Sequence, residues 1–594
     1  MDPIAGGVAP RVIVRSFIFV VLAACGPSSG GGNGDLVSID VEPANAMLTY
    51  TGTPVALDYH AIGHFKDGST ADLPDAVFSL DVDGAKLGAI SGVTFTASGQ
   101  GAGKGVVSAQ LDDISGATAV IVTVHRTDLG PGVPADGASK FPDTVAPTGA
   151  QSPTLVYPLQ DAVMPTSVKA PVVQWESTGG ADHLYRVRLE SGMAIVDTIL
   201  AHDPAFKFSL QPTLDRWQML KNSTDGVIRF TVEHWDAATG AQGSAPISIR
   251  MIPANITGAI YYWNLNIGQM EQIDENGRSV AIKNPPPKSD GNRCVACHSV
   301  SKDGRYLSGA LWGGGLQGAV FDMANDQTKV ADPAPTVTPL VENSSYTVLF
   351  STFNADATRL MLNRGTGLEV IDPKNGASVA TTGLPTSGVA HPAWSPDGST
   401  VALVRNITSG GQPAGWAVDY DRGDLAVMSA NGDAFGGPTT LVPASAVDPA
   451  FAAPSWPSFT PDSQWIAYGA GVNSRGRNDS IAAVYPGALF VVDKTAGIPY
   501  RLDTACAAAR NCYLPNFSPF DDGSYYWLVF YSTRDYGNAQ AGTKGAQRRQ
   551  LWVTAIDKAK LASGDPSAVA YWLPDQDVGT ANMSAFWALP PPLQ

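Results

Sequence analysis

The run Arg293-Cys294-Val295-Ala296-Cys297-His298 carries the densest chemistry in this 594-residue chain. Two thiols at Cys-x-x-Cys spacing can each add to a vinyl group of one haem, and an imidazole directly after them can ligate its iron. The pattern is that of c-type haem attachment, one haem c on Cys294 and Cys297 with His298 as proximal ligand. Two other readings use the same residues: a tight disulfide between Cys294 and Cys297 with His298 a bystander, or half of a metal site. Haem iron usually takes a second axial group, His or Met, which must come from elsewhere in the chain. The flanks are a proline-rich connector, Asn284-Pro285-Pro286-Pro287, and the strand-like Tyr306-Leu307-Ser308-Gly309-Ala310-Leu311, so the haem would sit on a β scaffold.

The elements that must position this motif follow from composition. With 62 Gly, 44 Pro, only 15% charged residues and no sustained helical periodicity, the chain reads as all-β and turn-rich, and too long for one core. A net charge of −16 argues against a nucleic-acid partner, because phosphate binding needs a basic face. Arg11 and Arg15 precede the apolar run Phe17-Ile18-Phe19-Val20-Val21-Leu22, a secretory signal too short to span a bilayer. Its end, Leu22-Ala23-Ala24-Cys25, resembles the lipobox of bacterial lipoproteins. The resemblance implies removal of the signal (1–25), lipid on Cys25, and a membrane-anchored protein of the cell envelope. The Gly/Ser-rich stretch 26–34 then reads as a flexible tether. In an oxidising compartment, the remaining Cys506 and Cys512 are expected to form a local disulfide.

Residues 35–126 carry alternating strands, among them Val37-Ser38-Ile39-Asp40-Val41 and Ala119-Val120-Ile121-Val122-Thr123-Val124. Their order, with Ala61-Ile62-Gly63-His64-Phe65-Lys66-Asp67-Gly68-Ser69 between them, resembles bacterial Ig-like (Big-type) domains. His60 and His64 read as surface residues of this module. Residues 127–153 form a Pro/Gly-rich linker. The segment 154–253 resembles a fibronectin type III sandwich, with Val172-Val173-Gln174-Trp175 and Phe230-Thr231-Val232-Glu233-His234-Trp235 as strands and Trp175 and Trp235 as core anchors.

From residue 254 to 594 a repeat takes over. Trp394-Ser395-Pro396-Asp397-Gly398, Phe459-Thr460-Pro461-Asp462-Ser463 and Phe517-Ser518-Pro519-Phe520-Asp521-Asp522-Gly523 are each followed by an apolar strand. Weaker copies lie at Val300-Ser301-Lys302-Asp303-Gly304, Phe353-Asn354-Ala355-Asp356-Ala357 and Ala585-Phe586-Trp587. An aromatic strand end, an Asp-capped turn and a second strand, repeated, indicate propeller blades, about six of them. The wording resembles TolB-like, WD-type propellers of periplasmic proteins. The last copy stops after one strand, so the ring is expected to close with strands from Gly258-Ala259-Ile260-Tyr261-Tyr262-Trp263 and Met270-Glu271-Gln272-Ile273-Asp274.

Alignment of the copies puts Cys297 opposite His391 and opposite Met583, all entering innermost strands around one mouth. His391 and Met583 are therefore the candidate distal ligands, with Met270 a third. Asp397 and Asp462 read as turn caps, not paired catalytic carboxylates. Gly313-Gly314-Gly315 lacks the Lys of a phosphate cradle, and no Gly-x-Ser-x-Gly elbow is present within the repeat region 254–594. The expected function is electron transfer to a redox partner protein; oxidoreductase chemistry would require an open distal position. The alternative is a haem-free propeller that binds an envelope protein or polysaccharide.

Overall fold

The computed structural model describes residues 35–145, 147, 149–223, 225–254, 258–285, 295–311, 317–325, 339–343, 349–474, 487–506, 511–521 and 523–590. Cys25, the tether 26–34, Cys294 and Gly313-Gly314-Gly315 lie outside them. The described chain is all-β, and its longest helix has 10 residues, Leu214–Ser223. No described helix is long and apolar enough to cross a membrane.

Beyond residue 258 six antiparallel sheets follow one another. The first strands of five are β1 (Val295–Val300), β2 (Phe350–Phe353), β3 (Val389–Trp394), β4 (Ala453–Phe459) and β5 (Cys512–Phe517). In the sixth, β6 (Asn582–Ala588) pairs with Ala259–Asn264, which pairs on through Gln269–Asp274 to Gly277–Ile282. Both ends of the segment thus supply one sheet. The six first strands touch in cyclic order, β6 returning to β1, so the ring has no open end.

Repeated side-chain bonds stitch this ring. The Trp394 amide donates to Thr352 Oγ1 at 3.0 Å, the Phe517 amide to Ser458 Oγ at 3.0 Å and the Trp587 amide to Asn516 Oδ1 at 2.8 Å. In each case the acceptor precedes the aromatic anchor of the neighbouring strand. The turns behave as their residues dictate. Asp397 accepts from Ser395 Oγ and the Ser399 amide, and Asp462 accepts from Thr460 Oγ1 and the Gln464 amide. These carboxylates are committed to the turns.

The N-terminal segments are joined more closely than their composition implies. The expected boundary at 126 falls inside the strand Ile114–Leu129, which pairs in parallel with Ala194–Ala201. Through it some strands of each segment join in one ten-stranded sheet, beside three smaller sheets. The inward apolar alternation of Val120, Val122 and Val124 carries the strand forward until Gly130-Pro131-Gly132 ends it. Trp175 is a core anchor at 0% exposure, whereas Trp235 is half-buried under the Lys140 ammonium, 5.4 Å from its ring.

The second segment docks on the ring through Asn538, which is 1% exposed. Its Nδ2 donates to the carbonyls of Trp175 (3.1 Å), Lys207 (3.0 Å) and Phe208 (3.0 Å). Asn538→Ala removes all three of these bonds, the Phe208 carbonyl keeping its bond from the Trp175 amide, and a loss of about 1–3 kcal/mol is expected in urea denaturation; an unchanged midpoint would show that the junction contributes nothing.

Candidate functional site

Five of the six first strands share a backbone irregularity. Cys297, His391, Trp456, Leu514 and Ser584 have φ of 48°, 51°, 48°, 50° and 55°, left-handed values that non-glycine residues seldom adopt. Each lies three residues before its strand's anchor, Val300, Trp394, Phe459, Phe517 or Trp587. At each the pairing register gains one residue: Ala296 faces Ala310 but Ser299 faces Ser308, and Ala390 faces Val404 but Ala393 faces Ala402. These are β-bulges, which re-aim side chains at the end of a sheet. β2 pairs without a shift.

The bulges turn two consecutive residues per strand into one cavity of about 480 Å³. Cys297 and His298 come from β1, His391 and Pro392 from β3, Trp456 and Pro457 from β4. The sequence alignment was correct for Cys297 and His391 but one residue out for β6. There Ser584, not Met583, occupies the left-handed position, because the anchor is Trp587 rather than Phe586. Met583 still lines the cavity. Met270 does not: it is 0% exposed and packs with Tyr261, Val295 and Leu307 behind the first strands.

The cavity wall is aromatic. The His391 ring stacks on Phe350 at 3.9 Å between centroids and meets Trp456 edge-on at 4.5 Å. His298 lies 6.4 Å from Phe586. Both ring nitrogens of His298 and both of His391 are buried without a hydrogen-bond partner. Burial pushes His298 down to about 4, opposed slightly by the Tyr261 backbone, and pushes His391 down to about 3. Both imidazoles are therefore neutral at physiological pH, the form that ligates metal. The His391 amide is fixed separately, donating to Asn363 Oδ1 at 3.1 Å. The Met583 sulfur is engaged, accepting from Arg549 Nη1 at 3.8 Å.

Cys297 is half-buried and lines this cavity. A thiol, a neutral imidazole beside it, a second buried imidazole and aromatic walls suit a planar, apolar, metal-centred group. Cys506 and Cys512 are also brought together, outside the cavity lining, as two buried thiols. Arg534 Nη2 donates to Cys512 Sγ at 3.4 Å. His64 pairs with Asp40 at 2.8 Å on an exposed strand and His60 is exposed, as surface residues should be. Sequence inspection did not single out Trp456 or Phe350; the shared offset of three from the anchor identifies Trp456, and only the fold identifies Phe350.

No protein-family model and no curated protein matches the chain. Among solved structures it is similar to a chain of a nidogen/laminin complex (7% identity, 56% of this chain and 98% of that one, TM-score 0.34). It is also similar to Kuenenia stuttgartiensis hydrazine synthase (13%, 51% and 80%, TM-score 0.32) and to an ancestral GH74 enzyme (10%, 57% and 37%, TM-score 0.31). Likenesses of this size carry no inference about activity.

The buried imidazoles make stability depend on pH. A histidine held below its ordinary value of 6.5 lets the unfolded chain bind protons that the folded chain refuses. Stability is then full above about pH 6.5 and is lost as pH falls toward 4, at about 1.4 kcal/mol per unit for each histidine. In the metal-free polypeptide, urea midpoints should fall between pH 7 and 4.5, and His391→Phe should flatten that fall; identical slopes would reject the burial of a neutral His391.

Proposed function

We propose that this chain is an exported, lipid-anchored c-type cytochrome in which an Ig-like and a fibronectin type III-like module precede a six-bladed, TolB-like β-propeller. The single observation that carries the reading is the convergence of Cys297, His298, His391 and Met583 on one aromatic cavity, with both imidazoles buried and both ring nitrogens of His391 unpaired. Cys294 and Cys297 would hold one haem c by thioethers and His298 would be its proximal ligand. Of the two distal candidates His391 is favoured, because its nitrogens lack partners whereas the Met583 sulfur already accepts from Arg549.

When bound, the haem supplies a one-electron couple, which suits transfer to a redox partner protein. The chain's own residues exclude water from the imidazoles, fix their orientation through the bulges and stack Phe350 against His391. Lipid on Cys25 would anchor the protein to a membrane of the cell envelope, and export would let Cys506 and Cys512 close as a disulfide.

The test is a pyridine haemochrome spectrum of protein exported from a host with the c-type maturation machinery, beside a Cys294→Ala, Cys297→Ala variant. A c-type α band lost in the variant is expected. No haem in either sample would overturn the reading in favour of the haem-free binding propeller. In the loaded protein His391→Ala should convert the low-spin spectrum to high-spin while Met583→Leu leaves it unchanged; the reverse pattern would assign the distal position to Met583.

A further inference from the structure

Three of the chain's eight histidines lie far from the cavity, at one end of the large N-terminal sheet. Leu184 faces Trp235 on one neighbouring strand and Ala201 on the other. One residue further out, Asp236, His183 and His202 fall in a row across three adjacent strands, and the His202 amide donates to the His183 carbonyl at 3.0 Å. Residues directly opposite share a face, as do residues two apart on one strand, so His234 joins the same face.

There the donors converge. His183 Nδ1 and His234 Nε2 are 2.8 Å apart, and one ligating atom each from His183, His234 and Asp236 lie within 4.8 Å of one another. His234 is 0% exposed, and its other ring nitrogen, Nδ1, is buried with no partner. Asp236 is 7% exposed, and its carboxylate is oriented by the amides of Ala238 (2.7 Å) and Thr239 (2.8 Å) on Oδ1 and by the Thr239 hydroxyl (2.5 Å) on Oδ2. Room for the rings is left by glycine: a Cβ on Gly180 would stand 2.8 Å from His183 Nε2, and one on Gly179 would stand 2.0 Å from His202 Nε2. His183 is only half-buried, which leaves the cluster open on one side.

We propose that His183, His234 and Asp236 form a binding site for a divalent transition ion of the zinc class. Two imidazole nitrogens and one carboxylate oxygen are a borderline-to-hard donor set that suits Zn²⁺, and the open side admits water as the fourth ligand. A bound cation would replace the hydrogen bond between the two imidazole nitrogens by a shared ligand and offset the charge of the carboxylate. The site shares no residue with the aromatic cavity and stands or falls separately from the haem reading.

The experiment uses the full chain, stripped with a chelator and titrated with Zn²⁺ against a chromogenic competitor. His183→Gln, Asp236→Asn and Cys297→Ala variants are run in parallel, each checked for native circular dichroism. One Zn²⁺ per chain is expected to bind, at least about tenfold more weakly in His183→Gln and Asp236→Asn and unchanged in Cys297→Ala. Co²⁺ in the same site should show visible bands without a sulfur charge-transfer band. Failure of the wild-type chain to bind Zn²⁺, or binding that His183→Gln leaves intact, would overturn the proposal. His183 is half-buried, so that variant decides the matter even where Asp236→Asn does not fold.

Discussion

The ring of sheets depends on one strained backbone position repeated five times. A non-glycine residue in the left-handed region costs on the order of 1–3 kcal/mol and persists only where its surroundings over-determine it. Here they do: the anchor that follows is buried, its amide is bonded across to the neighbouring sheet at three of the six junctions, and the strand on the other side is fully paired. The bulge takes two residues that a regular strand would point to opposite faces and aims both at the axis. Cys297 and His298 are adjacent in sequence and both reach the cavity for that reason.

The cavity carries a second cost. An imidazole that loses water without gaining a partner gives up the hydrogen bonds of both nitrogens, and a domain usually avoids this. Two such rings in one apolar space is a concentration that packing does not require. Pro392, Pro457 and Pro515 follow the left-handed residue in three other strands, and proline has no donor to satisfy. His298 takes the place that proline holds elsewhere, so the sequence puts a polar ring where the fold asks for none.

Much of this was legible from the chain. The repeat of an aromatic, an Asp-capped turn and an apolar strand gave six sheets and their closure by both ends, since each copy is a local hairpin whose turn chemistry is written in Asp397, Asp462 and Gly398. The convergence of Cys297 and His391 was legible for the same reason, as both sit at a fixed offset from an anchor. Met583 was misplaced by one because Phe586 and Trp587 are both aromatic and only the pairing with Tyr261 and Trp263 decides which is the anchor. The row His183, His202 and Asp236 was not legible, because it depends on the register of three strands that are up to 53 residues apart in sequence. The union of the two N-terminal segments was hidden likewise: a parallel pair has no turn to announce it.

That parallel pair also governs how the molecule can be divided. Ile114–Leu129 is the neighbour that covers one side of Ala194–Ala201, and the other side is covered by Leu184–Ser191. Severing the chain between the two segments and separating them would not release two closed sandwiches. It would bare a row of unpaired amides and carbonyls along Val196 to Ile199, flanked by apolar side chains, which is the surface on which strands of other molecules add. The first segment therefore acts as a sheath for the second, and the two form one unit of association as well as of folding.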